Sequence, residues 1–212
     1  MVQIHFDAFR GSSNTRIGRG YVRAFLNWFQ SRESAIAFVS GIDDSLTGYV
    51  VGAALGYERD INRYLFPIAV QGFIMHPWAL ADARILRNVL ARMKSMTGSR
   101  AEGATRVPTL PQPVMSLVGI GVRAVSKGDG SASRLIESFE EESWSRNFAA
   151  VRLSVHAVNE RAIHFYERSG WSSFRVPDKD YLYCYKHAPD AKKEKVEPCP
   201  NITTIPPGSS NE

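Results

Sequence analysis

The sequence has few cysteines and lacks any long apolar run. Its 212 residues include two cysteines, Cys184 in an aromatic strand-like run and Cys199 in a polar segment, so a structural disulfide is not expected. No stretch approaches the roughly 20 consecutive apolar residues of a membrane span. The opening MVQIHFDAFRGSS lacks the apolar core of a secretory signal. We therefore expect a cytoplasmic protein without integral membrane association.

Internal repeats are also absent, and the charge is only moderately one-sided. A hydrophobic content of 44% and a charged content of 22% are typical of a globular protein. The net charge of +5 favours anionic partners such as phosphates, nucleotides or membrane surfaces. This excess is too small to choose among them, and we expect no nucleic-acid partner.

The N-terminal part of the chain predicts one helix and a β-hairpin. Apolar residues in YVRAFLNWFQ (21–30) recur at helical spacing and share one face. Two strand-like runs follow at 34–41 and 48–57, and turn-forming residues join them. The region 58–114 then differs in pattern and is interpreted as an insert, with a predicted amphipathic helix at 79–96 followed by a Gly/Pro/Thr-rich connector.

The C-terminal half alternates strands with helices. A strand at 115–122 is followed by a glycine-rich turn and a helix, and a strand at 151–158 is followed by a helix at 160–170 and two short strands. This order predicts an α/β domain with a central mixed, largely antiparallel sheet flanked by helices. We assign the domain to residues 1–187, and we expect 188–212 to form a disordered tail.

The turn between the first of these strands and its helix is rich in small residues, SKGDGSASRL (126–135). Backbone N–H groups and the helix dipole at such a junction can bind a phosphate. A tight turn that needs Gly128 and Gly130 is the simpler alternative. The P-loop pattern G-x-x-x-x-G-K-[ST] is absent. A dinucleotide fingerprint fits poorly, because it would require glycine in place of Ser133 and an acidic residue at the end of the strand at 151–158, which ends in Val158-Asn159.

Two motifs resemble the signatures of the GNAT superfamily of N-acetyltransferases. The stretch VRAVSKGDGSASRL resembles the acyl-CoA-binding motif V-x-x-x-x-[RQ]-x-x-G-x-[GA], with Lys127 in place of the usual Arg or Gln. The stretch NERAIHFYERSGW matches the second signature, N-x-x-A-x-x-F-Y-x-x-x-G-[FW]. The two motifs occur in the expected order, each between a strand and a helix. The resemblance covers 115–187 firmly, is compatible with 20–57, and does not extend to the insert.

The resemblance implies acetyl-CoA as cosubstrate and no metal. Backbone groups of Ile120 and Val122 would pair with the pantetheine arm, and the backbone N–H groups from Gly128 to Ser133 would bind the pyrophosphate. Asn159 would cap its helix or bond the pantetheine arm. The residues implied in cofactor binding are Ile120, Gly121, Val122, Lys127, Gly128, Asp129, Gly130, Ser131, Ala132, Ser133, Asn159 and Phe165.

The resemblance also implies that Tyr166 is the general acid that protonates the departing thiolate. A phenol with a pKa of about 10 remains protonated at neutral pH. A buried core aromatic is the alternative role for this residue. The general base is open, because the strand at 115–122 carries no carboxylate. Glu58 and His156 are the titratable candidates, and a water chain without a dedicated base is an equal alternative.

The expected activity is transfer of an acetyl group from acetyl-CoA to a primary amine, by direct attack in a ternary complex. The charged residues of the insert are Arg59, Arg63, Arg84, Arg87, Arg92, Lys94, Arg100 and Arg106 against Glu58, Asp60, Asp82 and Glu102. This excess of bases suits a small anionic acceptor such as an amino sugar, although a solvated charged face explains it equally well. The alternatives are a protein or peptide N-acetyltransferase and a non-catalytic acyl-CoA sensor. Whether the chain forms a homodimer stays open.

Overall fold

The computed structural model describes residues 1–42, 45–75, 108–126, 128–177 and 179–189. The helices and strands in these ranges are, in chain order, α1 (Val2–Ala8), α2 (Ser13–Ile17), α3 (Arg19–Gln30), β1 (Ala35–Ile42), β2 (Ser45–Ala54), α4 (Glu58–Met75), β3 (Val114–Val122), a 3-10 turn (Ala124–Ser126), α5 (Ser131–Ser145), β4 (Ala150–His156), α6 (Glu160–Arg168), β5 (Ser172–Arg175) and β6 (Tyr181–His187).

The strands of the described ranges form one six-stranded sheet in the order β1-β2-β3-β4-β6-β5. Neighbouring strands are antiparallel except for β3 and β4, which run parallel. The hairpin predicted near the N-terminus is formed by β1 and β2. The expected α/β class, with a mixed and largely antiparallel sheet, is therefore confirmed.

Each face of the sheet carries its own apolar cluster, because successive side chains of a strand point to opposite faces. The first cluster joins α1 and α3 to the sheet and includes Ile4, Val22, Phe29, Tyr49 and Val51. The second cluster joins α5 and α6 to the opposite face and includes Ile136, Phe139, Tyr166, Val50 and Val151. The two faces are therefore covered by different helices, and α2 and α4 also contribute to the first cluster through Ile17, Ile61 and Leu65.

Most predicted elements are present with small shifts of their ends. The helix predicted at 21–30 begins at Arg19 and buries the predicted apolar face. The strand predicted at 48–57 is too long, because β2 ends at Ala54 and a turn leads into α4. Gly56 lies in this turn with a φ of +98°, which is a left-handed conformation that glycine adopts readily.

Two short helices at the N-terminus were not predicted from the sequence. Helix α1 has seven residues and no side-chain N-cap, so it would be marginal in isolation. Packing stabilises it instead, since Ile4 and His5 are buried. The Nδ1 atom of His5 also lies 2.6 Å from the hydroxyl oxygen of Tyr49 on β2. Tertiary contacts, and not local propensity, therefore determine α1.

The buried carboxylate of Glu140 links α5 to Trp171, which follows α6, and to β6. Glu140 of α5 accepts a hydrogen bond of 2.6 Å from the indole N–H of Trp171. Its other carboxylate oxygen accepts one of 2.5 Å from the ammonium group of Lys186 on β6. Since Glu140 is only 7% exposed, these bonds compensate for the loss of its hydration. They connect α5 to β6, which lies beyond β4 in the strand order.

Part of the predicted chain lies outside the described residues. This applies to the helix at 79–96, to residues 97–107 of the connector, and to the tail beyond 189. Leu110, which the sequence assigned to the connector, is buried against the sheet. Within the described ranges, no helix combines the length and the apolar character needed to cross a membrane.

Acidification should weaken the native state through His5. Burial lowers the pKa of His5 from 6.5 to about 4. Between these values the unfolded chain binds a proton that the native protein does not, so the free energy of unfolding falls as the pH falls from 6.5 towards 4. From pH 7 to pH 5, His5 should account for a decrease of about 2 kcal/mol.

The measurement is urea unfolding at both pH values for the wild type, His5→Gln and the control His164→Gln. The side chain of His164 is 66% exposed, so its replacement should preserve the wild-type decrease. The decrease should be smaller for His5→Gln. Equal decreases in all three proteins would contradict the expected role of His5.

Candidate active site

The most prominent feature of the sheet is a gap between β3 and β4. The two parallel strands pair only from Val114 to Ser116 on β3 and from Ala150 to Arg152 on β4. Beyond these residues β3 continues paired to β2, while β4 continues paired to β6. The facing edges of β3 and β4 therefore part beyond Ser116 and leave backbone groups available to a ligand.

A bulge in β3 determines which backbone groups face this gap. Gly119 lies opposite Val51, but Leu117 lies opposite the next residue of β2, so Val118 is extra. Beyond the bulge, the N–H of Arg123 donates to Thr47 on β2 at 2.8 Å. Because successive residues of a strand direct their backbone groups to opposite sides, the N–H and C=O groups of Ile120 and Val122 point into the gap.

The glycine-rich loop follows β3 at the open end of this gap. Gly128 and Gly130 have φ values of +96° and +84°, so both occupy the left-handed region. Gly130 is the N-cap of α5, whose first turn contains Ser131, Ala132 and Ser133. The first N–H groups of a helix have no partner within the helix and favour an anion. Lys127 lies outside the described residues.

Two charged side chains act on the start of α5. The carboxylate of Asp129 accepts a hydrogen bond of 2.8 Å from the N–H of Ser131. This backbone bond, together with one from the Ser131 side chain, lowers the pKa of Asp129. The guanidinium of Arg134 folds back and donates to the Asp129 carbonyl oxygen at 3.3 Å and to the Ser131 hydroxyl at 3.2 Å. The loop thus carries one anionic and one cationic side chain.

Helix α6 carries the residues of the second motif. The side chain of Asn159 caps the helix by accepting from the N–H of Ala162 at 3.3 Å. Phe165 is half-buried, and Tyr166 is buried with 6% exposure. The ring of Tyr166 lies 5.6 Å from that of Trp171. Burial, and secondarily the nearby Cys184 thiol group, raise the pKa of Tyr166, so its hydroxyl keeps its proton.

The two titratable candidates for the base have different surroundings. Glu58 is the first residue of α4, and its carboxylate lies 3.7 Å from the guanidinium of Arg152. Arg152 also donates to the Ser116 hydroxyl at 3.1 Å. Ser116 and Arg152 form the last residue pair of β3 and β4 before these strands part. The Glu58 carboxylate is therefore near the inner end of the gap and is already engaged by a cation. His156 is exposed at the outer end of β4.

The structure also brings together residues that the sequence analysis did not consider. Tyr49 on β2 lies opposite Gly121, and its hydroxyl pairs with His5 of α1. The two residues are separated by 44 positions, so no local pattern could have linked them. Across the described ranges, no three His, Cys, Asp or Glu side chains are close enough to hold a metal ion.

Comparisons with known proteins agree with this architecture. Residues 92–171 match the model of the acetyltransferase (GNAT) family. A structure from Desulfovibrio desulfuricans, described as an acetyltransferase of the GNAT family, is 10% identical with a TM-score of 0.51, over 88% of this chain and 89% of that chain. The N-acetyltransferase from Staphylococcus aureus Mu50 is 14% identical with a TM-score of 0.50, over the same shares. No curated protein matches the sequence.

Replacing Asp129 by Asn should strengthen CoA binding by about two- to fivefold, because an exposed like charge repels an anionic ligand only weakly. The amide oxygen of Asn can still accept the hydrogen bond from Ser131, while the negative charge beside the predicted pyrophosphate site is removed. Calorimetric titration with CoA measures the effect. Glu137→Gln removes an exposed carboxylate farther along α5 and should leave the affinity unchanged. Unaltered or weaker binding by Asp129→Asn would contradict a pyrophosphate at this loop.

Proposed function

Because residues 92–171 match the model of the acetyltransferase (GNAT) family, we propose that this chain transfers an acetyl group from acetyl-CoA to a primary amine by direct attack in a ternary complex. The observation that carries the proposal is the gap between β3 and β4, which opens beside a loop suited to an anion. A gap bordered by strand edges accepts an extended ligand arm, and the loop at its end accepts a phosphate.

The backbone of β3 would bind the pantetheine arm in the manner of an added strand. The direction of the Ile120 and Val122 backbone groups supports this role. The N–H groups from Gly128 to Ser133 would bind the pyrophosphate, with the dipole of α5 behind them. Arg134 supports the same assignment, because its guanidinium lies over the loop and can pair with a phosphate oxygen.

The reaction requires the amine nitrogen to attack the thioester carbonyl carbon while the C–S bond breaks. The bulged part of β3 would supply backbone N–H groups that stabilise the charge on the carbonyl oxygen. The hydroxyl of Tyr166 would give its proton to the departing thiolate. The raised pKa keeps the phenol protonated at neutral pH, so the proton is present when the thiolate departs.

The acceptor would be an amino sugar or another small anionic amine. The described part of the insert supports this through Arg59 and Arg63, which are exposed on α4. Helix α4 begins with Glu58, whose partner Arg152 lies at the inner end of the gap. Cationic side chains on this helix would therefore stand near an incoming acceptor and favour one that carries a phosphate or carboxylate.

A panel of amines assayed with acetyl-CoA tests the proposed function. We expect thiol release with glucosamine 6-phosphate to exceed that with spermidine or with a peptide bearing a free N-terminal amine.

Gly130→Glu should abolish measurable CoA binding, because it places a carboxylate at the pyrophosphate site and a side chain at a φ of +84°. The control Gly20→Glu introduces the same residue at an open position of α3 and should bind CoA normally.

The outcomes of this panel separate the alternatives. Faster turnover of the peptide would favour a protein or peptide acetyltransferase. Tight CoA binding without turnover of any amine would favour the acyl-CoA sensor. Unchanged CoA affinity in a folded Gly130→Glu variant would refute the binding site.

Tyr166→Phe should lower kcat by about 10² to 10⁴, which is the typical contribution of a general acid. The substitution keeps the ring and its packing against Trp171, so CoA affinity and the melting temperature should hardly change. The measurements are steady-state kinetics with the best amine of the panel and thermal unfolding. Turnover at the wild-type rate would show that the thiolate leaves without help from this residue.

A further inference from the structure

A buried pair of polar side chains lies in the apolar cluster between α1 and the sheet. His5 is 4% exposed and Tyr49 is fully buried, and 2.6 Å separates the His5 Nδ1 atom from the Tyr49 hydroxyl oxygen. The aromatic rings of Phe9 and Phe25 lie 4.8 and 5.8 Å from the His5 ring. Among the described residues, the His5 Nε2 atom has no hydrogen-bond partner. Burying such a group is costly, so a purely structural purpose would be better served by apolar residues.

This pair lies directly against the bulged part of β3. Tyr49 faces Gly121 across the β2–β3 ladder. A β-carbon at Gly121 would lie 2.8 Å from the Tyr49 ring, so a side chain there would displace the ring. A β-carbon at Gly119 would lie 3.9 Å from the Tyr49 hydroxyl oxygen, in ordinary contact. The hydroxyl therefore lies next to Gly119, a residue of the strand that borders the gap.

The geometry points to Tyr49 as the group that removes the proton from the attacking amine, with His5 receiving the Tyr49 proton in turn. This inference rests on the proposed function, because it assigns the missing base of that reaction. β3 offers no carboxylate for this purpose, and the carboxylate of Glu58 is engaged by Arg152. A phenol beside Gly119, backed by an imidazole, places a proton acceptor within reach of the gap, directly or through one water.

The environment keeps both groups in the protonation states that such a relay requires. Burial lowers the pKa of His5 to about 4, so the imidazole is neutral at pH 7 and Nδ1 can accept a proton. Burial also raises the pKa of Tyr49, so its phenol is neutral and donates to Nδ1. The assigned tautomer then carries its ring proton on Nε2, the atom without a partner.

The proton transfers balance as follows. As the C–N bond forms and the C–S bond breaks, the amine proton moves to the Tyr49 oxygen and the Tyr49 proton moves to His5 Nδ1. The thiolate takes the proton of Tyr166. After the products leave, the imidazolium of His5 returns its proton through Tyr49 to solvent, and Tyr166 regains one from solvent. The low pKa of His5 favours this return, so the relay resets after each turnover.

Tyr49→Phe tests the relay, because it keeps the ring beside Gly121 and removes only the hydroxyl. With the best amine of the glucosamine 6-phosphate, spermidine and peptide panel, kcat should fall by about 10² to 10⁴ while the KM for acetyl-CoA stays unchanged. Tyr21→Phe is the control, since it removes a phenol from the same buried cluster but on α3. It should keep the wild-type kcat.

A double variant distinguishes a relay from a structural tie between α1 and β2. If Tyr49 and His5 act as a unit, Tyr49→Phe combined with His5→Gln should be no slower than Tyr49→Phe alone. Additive losses of kcat, or wild-type turnover by Tyr49→Phe, would overturn the relay and leave the proposed function intact. A fall in CoA affinity by calorimetry that matches the fall in rate would overturn it too. If the wild type acetylates no amine of the panel, the relay and the proposed function fail together.

Discussion

Backbone hydrogen bonding along β3 changes direction at the extra residue Val118, and the rest of the candidate site depends on this change. Before the bulge, β3 pairs with both β2 and β4. After it, β3 pairs with β2 alone, and its other edge faces the gap. Without the extra residue, the backbone groups of Gly119 and Gly121 would face the gap in place of those of Ile120 and Val122. One inserted residue therefore determines which backbone groups line the gap.

Close packing around β3 holds this edge in position. A β-carbon at Gly52 would lie 2.4 Å from the ring of Phe139, so α5 can approach the sheet only because this residue is glycine. The same helix begins at Gly130 and presents its first N–H groups at the end of β3. Side-chain packing within the second apolar cluster thus helps to position the glycine-rich loop relative to the strand edge.

Elements with a strong periodic pattern could be predicted from the sequence, and features that arise from long-range contacts could not. Helix α3 and the β1–β2 hairpin follow from local apolar spacing. The loop at Gly128 and Gly130 follows from its motif. The bulge at Val118 has no local signature, because MSLVGIGV reads as an uninterrupted strand. Helix α1 is too short to be recognised by periodicity, and its stability comes from contacts with the sheet.

The contacts of Glu140 have a mechanical consequence for the gap. The sheet consists of two halves, β1-β2-β3 and β4-β6-β5, which share only three residue pairs at one end. Glu140 belongs to the helix on the first half, and its partner Lys186 belongs to a strand of the second half. This bridge joins the two halves through side chains, in addition to the three backbone pairs between β3 and β4. The spacing of the two halves therefore depends on the Glu140 carboxylate as well as on strand pairing.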